Sequence, residues 1–196
     1  LDLTERQILV GAWTNLNSPM VCEIIGSLGF DWLLIDAEHG PNSVTSVLSQ
    51  LQAIAPYATV PVVRIPNHDS SLIKRYLDIG ATNLLVPFVD CRTQAINIIK
   101  ATRYPPHGLR GVGAGLARAS RWGINKNYLN EANNEITLIA QIESKEGLNN
   151  LEEIAALEEI DALFFGPADI AASLDRLGAP NDPDVKEAVL NGIKQA

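Results

Sequence analysis

Gln141, Glu143 and Asp169 are residues whose types and spacing could do chemistry. Gln141 and Glu143 stand two apart, so in an extended strand both project to one side while Ile142 projects to the other. Glu143 and Asp169 lie 26 positions apart, about one strand–helix repeat, which puts two carboxylates on neighbouring strand ends. Mg2+ or Mn2+ is typically held by one or two carboxylates plus waters and substrate oxygens. The structural alternative makes Asp169 a helix N-cap and Glu143 a solvated strand end. Spacing by itself leaves both open.

His39 follows Asp36-Ala37-Glu38 and could serve as a general base oriented by Asp36 or Glu38, or be a plain loop histidine. Arg64 ends an apolar run, where a guanidinium is costly to bury without an anionic partner. It could clamp a substrate carboxylate or enolate, or pair with Asp36. The stretch Arg110-Gly111-Val112-Gly113-Ala114-Gly115 matches neither the P-loop nor the dinucleotide fingerprint. An adaptable substrate loop, with Arg118 and Ser120 close by, suits it better. No lysine lies on a predicted strand, and Lys145 falls just past one; a Schiff-base route needs a desolvated lysine in the pocket and is disfavoured.

These residues need elements to position them. Short aliphatic runs at Ile8–Trp13, Trp32–Asp36, Val60–Ile65, Asn83–Phe88, Ile136–Glu143 and Ala162–Gly166 read as strands buried on both faces. Ser18-Pro19, Asp69, Ser144 and Asp182-Pro183 are helix starts, and Gly80 is a helix stop. Strand starts recur about every 23 to 28 residues, with one gap about twice as long. This is the rhythm of a parallel sheet with right-handed crossovers. The long gap, about 101–134, reads as a loop serving a site rather than a hidden strand. Polar residues gather at the carboxyl ends of the runs, the edge where parallel α/β proteins place their sites. Six strands fit either an open doubly wound sheet or an eight-stranded barrel cut short.

Bulk properties exclude several classes. The 196 residues are 46% hydrophobic and 19% charged, which suits one globular domain over 1–196 with a substantial core. A formal charge of −8 argues against nucleic acid. Cys22 and Cys91 have no metal or redox spacing and read as free thiols in a reducing compartment. With no apolar run long enough for a bilayer and no signal peptide, the expectation is a cytoplasmic protein without a membrane partner.

Phe30-Asp31-Trp32-Leu33-Leu34-Ile35-Asp36-Ala37-Glu38-His39 resembles the second-strand signature of the HpcH/HpaI aldolases, the metal-dependent pyruvate aldolases. Pro61–Arg64, Leu77–Ala81, Ala101–Pro106, Arg110–Gly113, Ala117–Trp122, Gln141–Glu143 and Gly166–Asp169 are similar to further family stretches, in order along nearly the whole chain. The resemblance implies a (β/α)8 TIM barrel, here lacking the last two strands and the C-terminal helix. It implies a class II aldolase splitting 4-hydroxy-2-oxo acids into pyruvate and an aldehyde, assembled as a homo-hexamer. Glu143 and Asp169 become ligands of Mg2+, Mn2+ or Co2+, and Gln141 contacts the pyruvate unit. Arg64 stabilises the enolate, His39 with Asp36 serves proton transfer, and Asp78 matches a residue near a neighbouring subunit's site. The backbone N–H groups of Ala168 and Asp169 would receive the pyruvate carboxylate, since Pro167 has none to donate. A citrate-lyase-like or malyl-CoA-lyase-like enzyme and a non-catalytic 2-oxo-acid-binding barrel are the alternatives.

Overall fold

The computed structural model describes residues 8–196. It is an α/β fold with six strands: β1 (Gly11–Thr14), β2 (Trp32–Asp36), β3 (Val60–Arg64), β4 (Asn83–Val86), β5 (Thr137–Ile142) and β6 (Ala162–Phe165). The helices are α1 (Pro19–Gly26), α2 (Val44–Ile54), α3 (Ser70–Asp78), α4 (Arg92–Thr102), α5 (Tyr128–Glu131), α6 (Lys145–Asn149), α7 (Leu151–Ala155), α8 (Pro167–Ser173) and α9 (Pro183–Gln195). No described helix is long and apolar enough to cross a membrane. The described residues form two compact units, one running to Leu84 and including Lys100–Thr137, the other comprising Leu85–Ile99 and Leu138–Ala196.

In the first unit the strands follow the chain, β1-β2-β3 and then the first half of β4. β1 and β2 pair in parallel from Gly11 with Trp32 to Thr14 with Ile35. β2 and β3 pair in parallel from Trp32 with Val60 to Asp36 with Arg64, so the register itself sets those two polar residues side by side. Consecutive residues Leu33, Leu34 and Ile35 are all buried, as are Val62 and Val63. Strands covered on both faces explain why the sequence shows unbroken aliphatic runs there rather than alternation. Each such side chain contributes about 1.5–3 kcal/mol through burial.

Helix starts lie where the capping residues predict. Ser18 accepts the N–H of Val21 ahead of Pro19, and Asp69 accepts those of Ser71 and Leu72. Both use a side-chain oxygen to satisfy N–H groups that the first helical turn leaves open. Between Thr102 and Ile136 there is no strand among the described residues. This stretch has single 3-10 turns at Ala114–Leu116 and Arg118–Ser120 and the short α5. Tyr104, Ala114, Tyr128 and Ala132 give it a small buried cluster of its own.

The second unit holds the second half of β4, then β5 and β6, the last two parallel from Ile139 with Ala162 to Ile142 with Phe165. Leu148, Leu151, Ile154 and Leu157 follow Ser144 at helical spacing and predict one helix, but two short helices form. Asn150 interrupts them, its side-chain amide donating to the Asp90 carbonyl at 2.7 Å. β4 stops at Val86, short of the expected Phe88, which has a left-handed backbone (φ 52°).

One device recurs in both units. Asp31 precedes β2, accepts the Val10 N–H on its carboxylate at 2.7 Å and donates its own N–H to the Val10 carbonyl at 2.9 Å. Asp161 precedes β6 and does the same with Leu138, at 2.7 and 2.9 Å.

Candidate active site

In the first unit, Arg64 closes β3 with only 9% of its side chain exposed, and Asp36 closes β2 with 3% exposed. Arg64 donates through Nε to Asp36 Oδ1 at 2.9 Å and through an NH2 nitrogen to Oδ2 at 2.5 Å. Its third nitrogen lies 2.9 Å from Glu38 Oε2, and the guanidinium carbon sits 4.8 Å from the Trp13 ring centre. The fork is thus held by two carboxylates and an aromatic face, the arrangement that lets arginine be buried. Of the two readings open to Arg64 in the sequence, the structure shows the pairing with Asp36.

Asp36 also accepts the N–H groups of Glu38 (3.0 Å) and His39 (3.2 Å) and the indole N–H of Trp13 (3.2 Å). Burial alone would raise its carboxyl. The hydrogen bonds and charge of Arg64, with the two backbone donors, outweigh that and hold it below the ordinary carboxylate range. Asp36 therefore fixes the backbone that carries His39 and makes no hydrogen bond to the imidazole. The His39 side chain is 69% exposed, with Nε2 3.9 Å from Glu38 Oε2.

In the second unit, Gln141 lies on β5 and Glu143 one residue beyond it; both are 1% exposed. Glu143 Oε1 accepts the Phe88 N–H at 2.8 Å, and Oε2 accepts from the Gln141 side-chain amide. The left-handed turn at Phe88 aims that N–H at the carboxylate. The other atom of the Gln141 amide, Oε1, is buried with no hydrogen-bond partner. Gly166, just after β6, lies close against this pair: a Cβ there would come within 2.9 Å of Glu143 Oε2. Asp169 is half-buried on the first turn of α8, where Pro167 is the first helical residue and Gly166 holds the N-cap position. The N-cap reading of Asp169 is thus not what the backbone shows.

These groups fit a hard cation. A buried carboxylate and an unsatisfied amide oxygen stand together, and a second carboxylate is carried on the first turn of the helix after β6. Among the described residues no three His, Cys, Asp or Glu side chains gather into a metal-binding group. A two-carboxylate site completed by waters and substrate oxygens is the kind Mg2+ and Mn2+ accept.

Ala168 is exposed on the first turn of α8 in the second unit, whereas Asp78, Arg118 and Ser120 lie in the first unit. Asp78 accepts from Arg110 at 2.8 Å. Arg110 is buried, stacks 4.4 Å from the Tyr104 ring centre and donates to the Tyr128 hydroxyl at 3.0 Å. Ser120, expected to face substrate, is buried and spends its hydroxyl on the carbonyls of Ala114 and Ala117 and the N–H of Gly123. Arg118 donates to the Ile79 carbonyl at 2.8 Å and borders a cavity with Gly80, Arg121 and Trp122.

Trp13 and Phe88 take part in these arrangements with no role expected of them, and Arg110 and Gly166 lay in family-like stretches without an individual role. Trp13 could have been found as the one large polar-edged ring near the carboxyl end of β1. Phe88 contributes only a backbone N–H, and residue type says nothing about that.

A family model described as HpcH/HpaI aldolase/citrate lyase matches residues 9–196. The hydroxypyruvate/pyruvate aldolase of Deinococcus radiodurans is 54% identical over 186 residues, covering 95% of this chain and 67% of that protein. The 2-keto-3-deoxy-L-rhamnonate aldolase of Klebsiella pneumoniae is 50% identical over 196 residues, covering 98% and 72%. The crystal structure of an HpcH/HpaI aldolase/citrate lyase family protein from Burkholderia cenocepacia matches with a TM-score of 0.93 at 42% identity, covering 95% of this chain and 75% of that one. The chain belongs to the HpcH/HpaI aldolase/citrate lyase family. It is an aldolase, a carbon–carbon lyase.

Proposed function

We propose that this aldolase reversibly cleaves a 4-hydroxy-2-oxo acid into pyruvate and an aldehyde, using a divalent cation of the Mg2+, Mn2+ or Co2+ kind. The observation that carries the reading is the buried Gln141–Glu143 pair, with the unsatisfied Oε1 of Gln141 and the close approach of Gly166. The family membership and the aldolase names of the relatives support it.

In this reading Glu143 and Asp169 hold the cation. When bound, it supplies Lewis acidity to the 2-oxo group and makes the neighbouring methyl or methylene carbon more acidic. Gln141 orients the 2-oxo acid through its side-chain amide. Arg64 provides a fixed positive charge that opposes the negative charge developing on the substrate, and its bidentate hold on Asp36 keeps the guanidinium from turning to meet it. Such preorganised charge is the largest contribution a protein commonly makes to catalysis. His39, exposed and mounted on the Asp36-anchored turn, moves the proton of the 4-hydroxyl. The backbone N–H groups of Ala168 and Asp169 receive the carboxylate. The family reading also carries closure into a (β/α)8 barrel and hexameric assembly.

The test is exchange of the pyruvate methyl protons for deuterium in D2O, followed by NMR. Exchange should disappear with EDTA, return with Mg2+, Mn2+ or Co2+, and be lost in Glu143→Ala and Asp169→Ala proteins that keep their circular dichroism. Exchange indifferent to EDTA, or borohydride trapping of pyruvate on a lysine, would overturn the proposal in favour of a Schiff-base enzyme.

A further inference from the structure

We propose that the cavity beside Arg118, Arg121 and Trp122 in the first unit is a second binding site, for a small organic carboxylate with a flat apolar body. The cavity measures about 430 Å3, within the range of about 300–1,000 Å3 typical of small-molecule pockets. Thr82 and Glu135 border it, and they precede the first residues of β4 and β5. The cavity therefore opens at the amino ends of strands, whereas Arg64 closes β3 at its carboxyl end.

Arg118 is built into the wall. Its guanidinium lies over Gly80, where a Cβ would come within 2.7 Å of it, and Gly80 has a φ of +91° that suits glycine. One N–H goes to the Ile79 carbonyl. A guanidinium offers five donors in a planar fork, so a carboxylate can still be gripped by the others. Partial burial lowers the Arg118 pKa from its ordinary value, the direction expected of a guanidinium partly withdrawn from water.

The second arginine and the aromatic arrive through an unusual turn. Arg121, Trp122 and Gly123 are all left-handed, with φ of 52°, 54° and 80°. A bulky aromatic in that region is strained and persists only where its surroundings dictate it. The dictating contacts here are the Ser120 hydroxyl, which accepts the Gly123 N–H at 2.9 Å, and the Ala117 carbonyl, which accepts the Trp122 N–H at 3.0 Å. The result sets Arg121 and Trp122 on the cavity, with Trp122 63% and Ile124 75% exposed. Two guanidiniums against the single carboxylate of Glu135 leave the pocket locally positive on a chain of net charge −8. A carboxylate head on the arginines and a flat body on the indole match this wall, since rings stack on indole and guanidinium faces.

Fluorine NMR with 4-fluorobenzoate as the probe tests this, with the neutral 4-fluorobenzamide as its control. Benzoate should bind saturably, at least tenfold tighter than the amide, and EDTA should not change its affinity. Arg121→Gln should weaken it at least tenfold. Ile124→Glu, at an exposed rim position, should do the same, so the test survives if the arginine variant folds poorly. Equal binding of the amide would overturn the proposal. So would benzoate binding that EDTA abolishes while Arg121→Gln and Ile124→Glu leave it unchanged.

Discussion

Arg64 and Asp36 face each other across the β2–β3 ladder as register partners and are joined there by two near-parallel hydrogen bonds of 2.9 and 2.5 Å. Both side chains are almost wholly withdrawn from water. Removing one member of such a pair leaves an uncompensated buried charge, at a cost of about 3–5 kcal/mol. Arg64→Ala and Asp36→Ala should each lower unfolding free energy in urea by that order. The double substitution should cost less than the sum of the two. Strict additivity would show that the pair is not what holds either residue in place.

The same pair sets an acid limit. The folded Asp36 carboxyl sits below its ordinary value because Arg64 and two backbone N–H groups overcome the opposing effect of burial. A depressed folded value means that the stabilisation is fully present above the unfolded carboxyl value, about pH 4. It is lost as pH falls below that and through the folded value. Asp36→Asn should remove this component, giving a shallower fall of stability with pH in the acid range.

Gly166 is predicted to keep Glu143 in place at the proposed cation site. A methyl group there would meet Glu143 Oε2 at 2.9 Å and Glu143 Cβ at 3.0 Å, so the glutamate must shift. Gly166→Ala should fold and yet bind Mn2+ about 10- to 100-fold more weakly, a loss typical of disturbing the support of a metal ligand. Titration calorimetry with Mn2+ reads this directly. Unchanged affinity would remove Glu143 from the cation site.

Arg110 ties the long segment after α4 to the end of α3. It is 2% exposed, pairs with Asp78 and stacks on Tyr104. Arg110→Ala should loosen that segment, and trypsin should then cut faster at the exposed Arg121 and Lys126. The wild-type rate of cleavage in the variant would show that the Tyr104–Tyr128 cluster holds the segment unaided.

Cys22 is fully buried, its thiol donating to Gln50 Oε1 at 3.3 Å, and burial pushes its pKa up to about 11. Only the thiolate reacts readily. A disulfide reagent at neutral pH should label Cys91 in the folded protein and reach Cys22 only after denaturation.

Much of this was legible in the residues. The aliphatic runs gave β2 at its observed bounds and the other strands to within a few positions, because strands buried on both faces leave unbroken apolar stretches. Ser18, Asp69 and Asp182 announced their helices because capping depends on one side chain and its nearest backbone. What escaped were contacts made across the chain. Ser120 looks like a substrate hydroxyl until the turn is built, when three backbone groups claim it. Glu38 looks like a partner for His39, yet the register of β2 against β3 brings Arg64 to it first. Residue type suggests that a group can bind; only the fold decides which neighbour it meets.

The paired aspartates ahead of β2 and β6 bear on how this protein tolerates change. Each grips the start of the preceding strand with a matched donor and acceptor. A slip of one residue would turn every side chain of a strand to the opposite face. With alignment pinned at the strand entrance by a carboxylate, the aliphatic residues behind it need only fill space. Exchange among valine, leucine and isoleucine leaves that grip untouched, whereas replacing either aspartate removes the carboxylate half of it.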